Sequence, residues 1–443
     1  MKLSNWGNYP VIDAIEIAPS ETSAVYKAVE GKKNWIGRGM GRCYGDSSLA
    51  ELSISALKMN RFLAFDAKTG ILTCETGVTY ADLLEIFVPK GWFPPVTPGT
   101  KFVSMGGAVA SDVHGKNHHI EGSFSQHTLS FVLMLASGNI ITCSRQENTD
   151  IFWATFGGMG LTGIILQVTF RLKKIETSFI KAESIKAKNL AEILRLLHDF
   201  ETATYTVAWI DCTTSGSSMG RSILMKGEHA SLENLKNTKY VANPLGIPQK
   251  LNLTVPFYFP SFALNRLTVG AFNFAYYNKQ FSKEIALIQD YDSFFYPLDV
   301  IHHWNRIYGK RGFTQYQFVV PKAAGYEGMK KILELVVKAG MASFLAVLKT
   351  FGKQDNLLSF PIEGYTLTLD FPIVPRLFPL LDSLDEIVAG YGGRIYLTKD
   401  VRLSAEMFAK MYPKLPEFQA ILRKIDPENT IQSLQSNRLR IHM

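Results

Sequence analysis

Residues 37–46 read GRGMGRCYGD and follow the short apolar strand signal NWI at 34–36, so a strand runs into a loop carrying four glycines and two arginines. Glycine lets the backbone approach a ligand and adopt positive φ, and the exposed amides, with Arg38 or Arg42, can neutralise a phosphate. One such loop alone also reads as a tight turn between strands. A second segment changes that balance: PGTKFVSMGGAVASDVHGKNHH, residues 98–119, supplies Gly99, Gly106, Gly107 and Gly115 among small residues. Two glycine loops in one region point to a long diphosphate ligand lying across both.

A third segment, GGMGLTG at 157–163, contains GxGxxG at Gly158, Gly160 and Gly163. A dinucleotide fingerprint has to open a helix whose first turn meets the pyrophosphate. Here the chain continues as IILQVTFRL, which alternates like a strand, so the Rossmann reading fails. GxxxxGK[ST] is absent, and with it a P-loop.

Around these loops the first third reads as mixed α/β. NWIGRG, SISALKM, GILTCETG, LSFVLMLASG, NIITCSR and TGIILQVTFRL carry strand patterns, and TYADLLEIFVPKG a helix with Thr79 or Asp82 at its start and Gly91 at its stop. The composition turns basic and polar at LKKIETSFIKAES, which places a boundary near Glu176. A new series follows, including AEILRLLHDF, GFTQYQFVVP and EGMKKILELVVKAG. From Gly393, RIYLTKD and the helical SAEMFAKMYPKLPEFQAILRKID read as a return to the first unit. The expected division is 1–176, 177–392 and 393–443.

At 443 residues, 47% apolar and 19% charged, the chain is globular and long enough for two domains with a buried cofactor. The net charge of +8 comes without any run of five like charges, which argues against nucleic acid and fits an anionic small molecule or an acidic lipid surface. Cys43, Cys74, Cys143 and Cys212 form no CxxC pair, so neither a zinc knuckle nor a redox dithiol is written here. The N-terminal MKLSNWGNYPVIDAIEI lacks the apolar core of a secretory signal, so a cytoplasmic location is expected. His114 and His118 have the spacing of HExxH, but Gly115 stands where the glutamate belongs, and no metal site is predicted. Residues 253–277, LTVPFYFPSFALNRLTVGAFNFAYY, are apolar, but Pro256, Pro260 and Asn265-Arg266 argue against a spanning helix. They read as a buried or irregular loop, with a lipid-facing interfacial segment as the alternative.

In order along the chain, GRGMGRCYGD, PGT, SMGGAVASDVHGKNHH, GSFSQH, FWATFGGMGLTGI, HHWNRIYGKRGFTQYQFVVP, LSFPIEGYTLTLDFPI and YLTKD resemble the decaprenylphosphoryl-beta-D-ribose 2'-oxidase family, FAD-linked oxidases of the vanillyl-alcohol oxidase fold. The resemblance spans essentially the whole chain. It implies an α+β architecture, a PCMH-type FAD-binding domain of two subdomains with an inserted antiparallel-sheet substrate domain. On that resemblance Gly37, Arg38, Gly39, Met40, Gly41, Arg42, Cys43, Tyr44, Gly45, Asp46 and Ser47, with Ser104, Met105, Gly106 and Gly107, wrap the FAD diphosphate. Gly99, Ser111, Asp112, Val113 and His114 line the cofactor, and Ile165 approaches from the third loop. Many relatives hold FAD covalently through a histidine in the first loop; here GMGRCYG has none, so non-covalent FAD is predicted, with a Cys43 thioether the disfavoured option.

Oxidising an alcohol asks for a base for the hydroxyl proton and a cation near the reduced ring. Lys399 in YLTKD matches the family position beside flavin and substrate, and desolvation there would lower its pKa; by sequence alone it is also an ordinary surface lysine. His114 is the second candidate, and the base stays open between them. Tyr44 and Tyr396 are placed to fix the ring and the sugar. Lys116 and Lys349 are expected on substrate phosphate or sugar oxygens, with Gln315, Gln317 and Trp209 as pocket walls. Mycobacterial members carry a cysteine beside the flavin where TLTLDF here has Thr368, which changes pocket shape and thiol reactivity without touching hydride transfer. The resemblance implies oxidation of a polyprenyl-phosphate ribose at its 2'-hydroxyl, a separate short-chain reductase as the next enzyme, and contact with the inner face of a membrane. A free sugar, alditol or aldonolactone is the alternative substrate.

Overall fold

The computed structural model describes residues 1–442 apart from 248, 249, 252 and 261. The strand signals around the glycine loops become two small sheets. Ile15–Ile17, Leu52–Ser55 and Trp35–Arg38 form a parallel three-stranded sheet, with the helix Thr22–Val29 as the crossover that parallel pairing requires. Ile140–Ser144, Thr128–Met134, Ile164–Arg171, Ile71–Glu75 and Phe62–Asp66 form an antiparallel sheet of five. The strand Ile164–Arg171 starts directly after Gly163, as the rejection of a Rossmann helix required. Thr79 caps the helix Tyr80–Phe87 in a capping box with Asp82, and Gly91 ends the following turn at φ +79°.

The middle of the chain builds an eight-stranded antiparallel sheet, in the order Glu284–Asp290, Phe179–Ala187, Ser222–His229, Tyr205–Ile210, Ala346–Phe351, Gly364–Pro372, Phe313–Pro321 and Arg394–Ile395. Register decides what each face carries, because side chains alternate along a strand. Gln315 stands opposite Asp370, Gln317 opposite Thr368, Thr368 opposite Val347 and Thr366 opposite Lys349, so these residues share one face with Trp209. Tyr316, Phe318, Val320, Leu367, Leu369 and Leu348 fill the other face and join the main core with Met329, Leu333 and Leu381 from the helices Gly325–Lys338 and Leu377–Gly390. One face is greasy and covered; the other is polar and turned to the glycine loops.

The last segment makes contacts with both the large sheet, through Arg394–Ile395, and the first glycine loop. Ile431 bridges Trp35, and Arg438 pairs with Asp46 at 2.8 Å and Asp400 at 2.9 Å. Two expectations are corrected. The helical run after Ser404 is two helices, Ala405–Met411 and Leu415–Ile425, because Pro413 breaks the first and Pro416 sits in the opening turn of the second. The apolar stretch read as a loop instead carries an exposed helix Arg266–Asn278, too short to span a membrane, which Asn265 caps by accepting from Leu267 N and Thr268 N.

Candidate active site

A cavity of about 400 Å³ lies between the glycine loops and the polar face of the large sheet, within the range of small-molecule sites. Its two walls differ in kind. One is largely backbone, from Gly37, Gly39, Met40, Gly41, Gly99, Gly106, Gly107 and Gly160, with Ser47, Ser104, Ser111, Val113 and Ile165. A Cβ on Gly39 would collide with Ser104 Oγ, so glycine there lets the first loop close on the second. The opposite wall is side chain: Trp209, Gln315, Gln317, Val347, Lys349 and Thr368 from the sheet, with Lys116, His114, Tyr396 and Lys399.

Four predicted residues sit behind the wall. Met105 is buried in the core as the first residue of the helix Met105–Ala110, which Ser104 caps and which glycine-rich sequence concealed. Gly45 packs on the backbone of Asp400, and Asp46 pairs with Arg438. Asp112, with φ +40°, accepts from Ser125 N at 3.0 Å and Gln354 Nε2 at 2.9 Å, which ties the second loop to the sheet connection.

The two arginines of the first loop have different jobs. Arg38 is committed within the chain: it donates to Asn5, to Ser4 O at 2.8 Å and to Ser48 O at 3.3 Å, and lies 3.5 Å from Glu16. Arg42 makes no hydrogen bond among the described residues; its guanidinium lies over the Trp6 ring at 4.1 Å and Phe102 at 5.0 Å, so its donors remain available to the cavity.

Lys399 sits in a turn, its amide on Tyr396 O at 2.9 Å, and its Nζ lies 4.1 Å from the Tyr44 ring centre. Burial pushes its pKa down to about 8; Asp370 opposes that shift and Lys349 adds to it. Burial likewise lowers Lys349 to about 8, and burial with the Lys349 charge lowers Lys116 to about 7. Lys116 is satisfied by Phe294 O, whereas Lys399 and Lys349 have no hydrogen-bond partner among the described residues. Crowded cations with so little counter-charge call for anionic ligands.

Asp370 was missed by the sequence reading, although its parity with Thr368 in TLTLDF puts it on the same face. It receives Gln315 Nε2 at 2.6 Å and Tyr308 OH at 3.4 Å, and Gln315 also reaches Tyr44 OH at 3.3 Å. Burial raises its carboxyl to about 7, against the Gln315 hydrogen bond and the Lys399 charge. Gln317 Nε2 donates to His114 Nε2 at 3.0 Å, which leaves the proton on His114 Nδ1, a buried atom with no partner among the described residues. Burial and Lys349 hold His114 well below its usual range, so it stays neutral, with Nε2 accepting from Gln317 and Nδ1–H left as its donor. An unpaired donor, free lysines and two backbone-lined loops fit FAD with an alcohol substrate. Cys43 lies on the wall, its Sγ 3.4 Å from Ser48 Oγ.

Residues 19–144 match the FAD binding domain family. Over 99% of its length the chain is 36% identical to the decaprenylphosphoryl-beta-D-ribose oxidase of Mycolicibacterium smegmatis, covering 97% of that protein. An uncharacterised Streptomyces coelicolor protein is 32% identical over 82% of this chain and all of its own. The L-gulonolactone oxidase of Mus musculus is 31% identical over 28% of each chain.

Proposed function

The chain belongs to the decaprenylphosphoryl-beta-D-ribose oxidase family, and on that premise we propose that it oxidises the 2'-hydroxyl of a polyprenyl-phosphate-linked ribose to a keto sugar. Bound FAD, held without a covalent link, supplies the hydride acceptor. The observation that carries the reading is Lys399, a buried amine with no hydrogen-bond partner among the described residues, facing the cavity that both glycine loops enclose. Its neutral form takes the hydroxyl proton as hydride leaves the carbon, and its charged form then sits beside the reduced ring. His114, protonated at Nδ1, donates to the sugar and orients it. Lys116 and Lys349 hold phosphate or sugar oxygens, and Gln315, Gln317, Thr368 and Trp209 shape the pocket.

Residues 1–176 and 393–443 form the FAD-binding unit on this reading, and 177–392 the substrate unit. The lactone-oxidase similarity covers only 28% of the chain, whereas the ribose-oxidase similarity runs through the sheet that lines the cavity, which favours the lipid-linked substrate over a free sugar. The keto sugar is then material for a separate short-chain reductase, and a lipid anchor brings the enzyme to a bilayer. No helix among the described residues is long and apolar enough to cross one.

The test is anaerobic bleaching of the flavin absorbance by a polyprenyl-phosphate ribose, compared with free pentoses, alditols and aldonolactones. Bleaching by the lipid-linked sugar alone is expected. Bleaching by a free polyol transfers the chain to the carbohydrate oxidases, and a protein that takes up no FAD defeats both readings. Acid precipitation should release the flavin intact into the supernatant; flavin retained on the pellet would mean a covalent link.

A further inference from the structure

The segment that closes one side of the cavity also carries an uncovered apolar surface. In the helix Arg266–Asn278, Val269 and Asn273 turn inward, and Asn273 Nδ2 donates to buried Asp211 at 2.9 Å. Tyr276 lies 4.7 Å from Trp209, ring to ring, and both line the cavity. The opposite side, where a surface helix normally turns polar, instead carries Leu267, Ala271 and Phe274 at spacings of three and four. Leu267 is 84% exposed and Phe274 61%; nearby in the chain Phe262 is 76% and Phe281 96% exposed. Single exposed apolar residues need no explanation, but a set this dense marks a contact surface.

Charge identifies the contact. Residues 234–283 contain Lys236, Lys239, Lys250, Arg266, Lys279 and Lys283 and no carboxylate. Lys236, Lys250 and Lys283 are paired to Glu233, to Asp290 and Asp292, and to Glu192, so the cations left next to the apolar stripe are Arg266 and Lys279, both exposed. A second copy docking through the same face would set these cations against their own counterparts, as a two-fold contact demands. Apolar side chains ringed by lysine and arginine fit an anionic bilayer surface. The helix has 13 residues, where a span needs about 20, so it lies on the surface rather than through it.

We infer that the face formed by residues 262–281 docks on anionic lipid, with Leu267, Phe274 and Phe281 entering the headgroup layer and Arg266 and Lys279 meeting the phosphates. Because Tyr276, on the inner side of this helix, lies against Trp209 in the cavity wall, docking holds that side of the cavity at the bilayer. Only this last step rests on the proposed lipid-linked substrate; the surface itself does not.

The FAD-loaded protein is floated with vesicles of phosphatidylcholine alone or with an equal part of phosphatidylglycerol. Co-flotation with the anionic vesicles, weakened by high salt, is the expected result. Leu267→Ser with Phe274→Ser should lower the partition coefficient at least about tenfold, since each side chain withholds apolar area from the bilayer. The same variant should keep its flavin and its turnover of a short-chain, water-soluble glycosyl phosphate, which separates loss of docking from loss of fold. Wild-type protein that stays unbound, or binds both vesicle types equally and as well as the double variant, overturns the proposal. So does concentration-dependent self-association in sedimentation velocity that the double substitution abolishes while vesicle binding is absent. Docking with no turnover of any glycosyl phosphate would leave the surface standing and sink the substrate reading instead.

Discussion

Lys399 meets two opposing demands, since an amine that accepts a proton must be neutral before the step and is charged after it. Burial moves it to about 8, so the active neutral form grows as pH rises and kcat should climb through about pH 8, while KM rises over the same range as Lys349 and Lys116 lose the charges that hold phosphate. Lys399→Met should lower kcat by a factor on the order of 10² to 10⁴ with FAD still bound, measured by stopped-flow reduction. Asp370 tests the assignment from behind, because it does not line the cavity. Its carboxylate favours the charged amine, so Asp370→Asn should lower the pKa of Lys399 and move the acid limb of the profile to lower pH. The limb belongs to the coupled pair, and an unmoved limb in Asp370→Asn would disconnect Lys399 from it. His114→Ala should instead raise KM and slow turnover without shifting the limb, since a histidine held neutral donates and does not titrate there.

Between elements, the site depends on how closely the two glycine loops meet. Gly39→Ala places a methyl against Ser104 Oγ and should weaken FAD binding about tenfold or more, with overpacking costing about 1–3 kcal/mol. Ser104→Gly in the same chain should restore part of it, because glycine is a tolerable helix cap and removes the obstructing oxygen. Isothermal titration of the apoprotein with FAD checks both. The strands around these loops were legible because alternation survives in GILTCETG and TGIILQVTFRL, whereas SISALKM is strand only to Ser55, and the Thr79 cap and Gly91 stop stood in plain sequence. The helix Met105–Ala110 was not, since glycines that favour a loop there serve close packing inside a capped turn. The helix Arg266–Asn278 was misread because Asn265 and Arg266 break an apolar run as effectively as they begin a helix. The site's polar wall lay between these cases: Gln315, Gln317 and Thr368 were visible through resemblance, but only cross-strand register brings Asp370 beside Gln315.

At the scale of the whole chain, what no local pattern could disclose is the tie between its ends. Arg438 and Asp46 are 392 residues apart, yet the guanidinium holds Asp46 in the FAD loop and Asp400 beside Lys399. Both carboxylates are almost completely buried, so Arg438→Met leaves Asp46 without its cation and Asp400 with only the Arg402 and Leu403 amides, a loss that typically costs about 3–5 kcal/mol. The pair Lys33–Glu428 joins the same two regions of chain at the surface, and Lys33→Met should change stability by less than about 0.5 kcal/mol. The contrast is more than one of magnitude. Arg438 braces the first glycine loop against the Lys399 turn, so its loss should also weaken FAD binding and reduce kcat through that turn. Excess FAD, which binds only the folded chain, should raise the Tm of Arg438→Met by less than it raises that of the wild type at equal concentration. Calorimetry with and without FAD decides it: an equal rise in both proteins would make the ion pair a clamp on the fold alone, with no part in shaping the cofactor site.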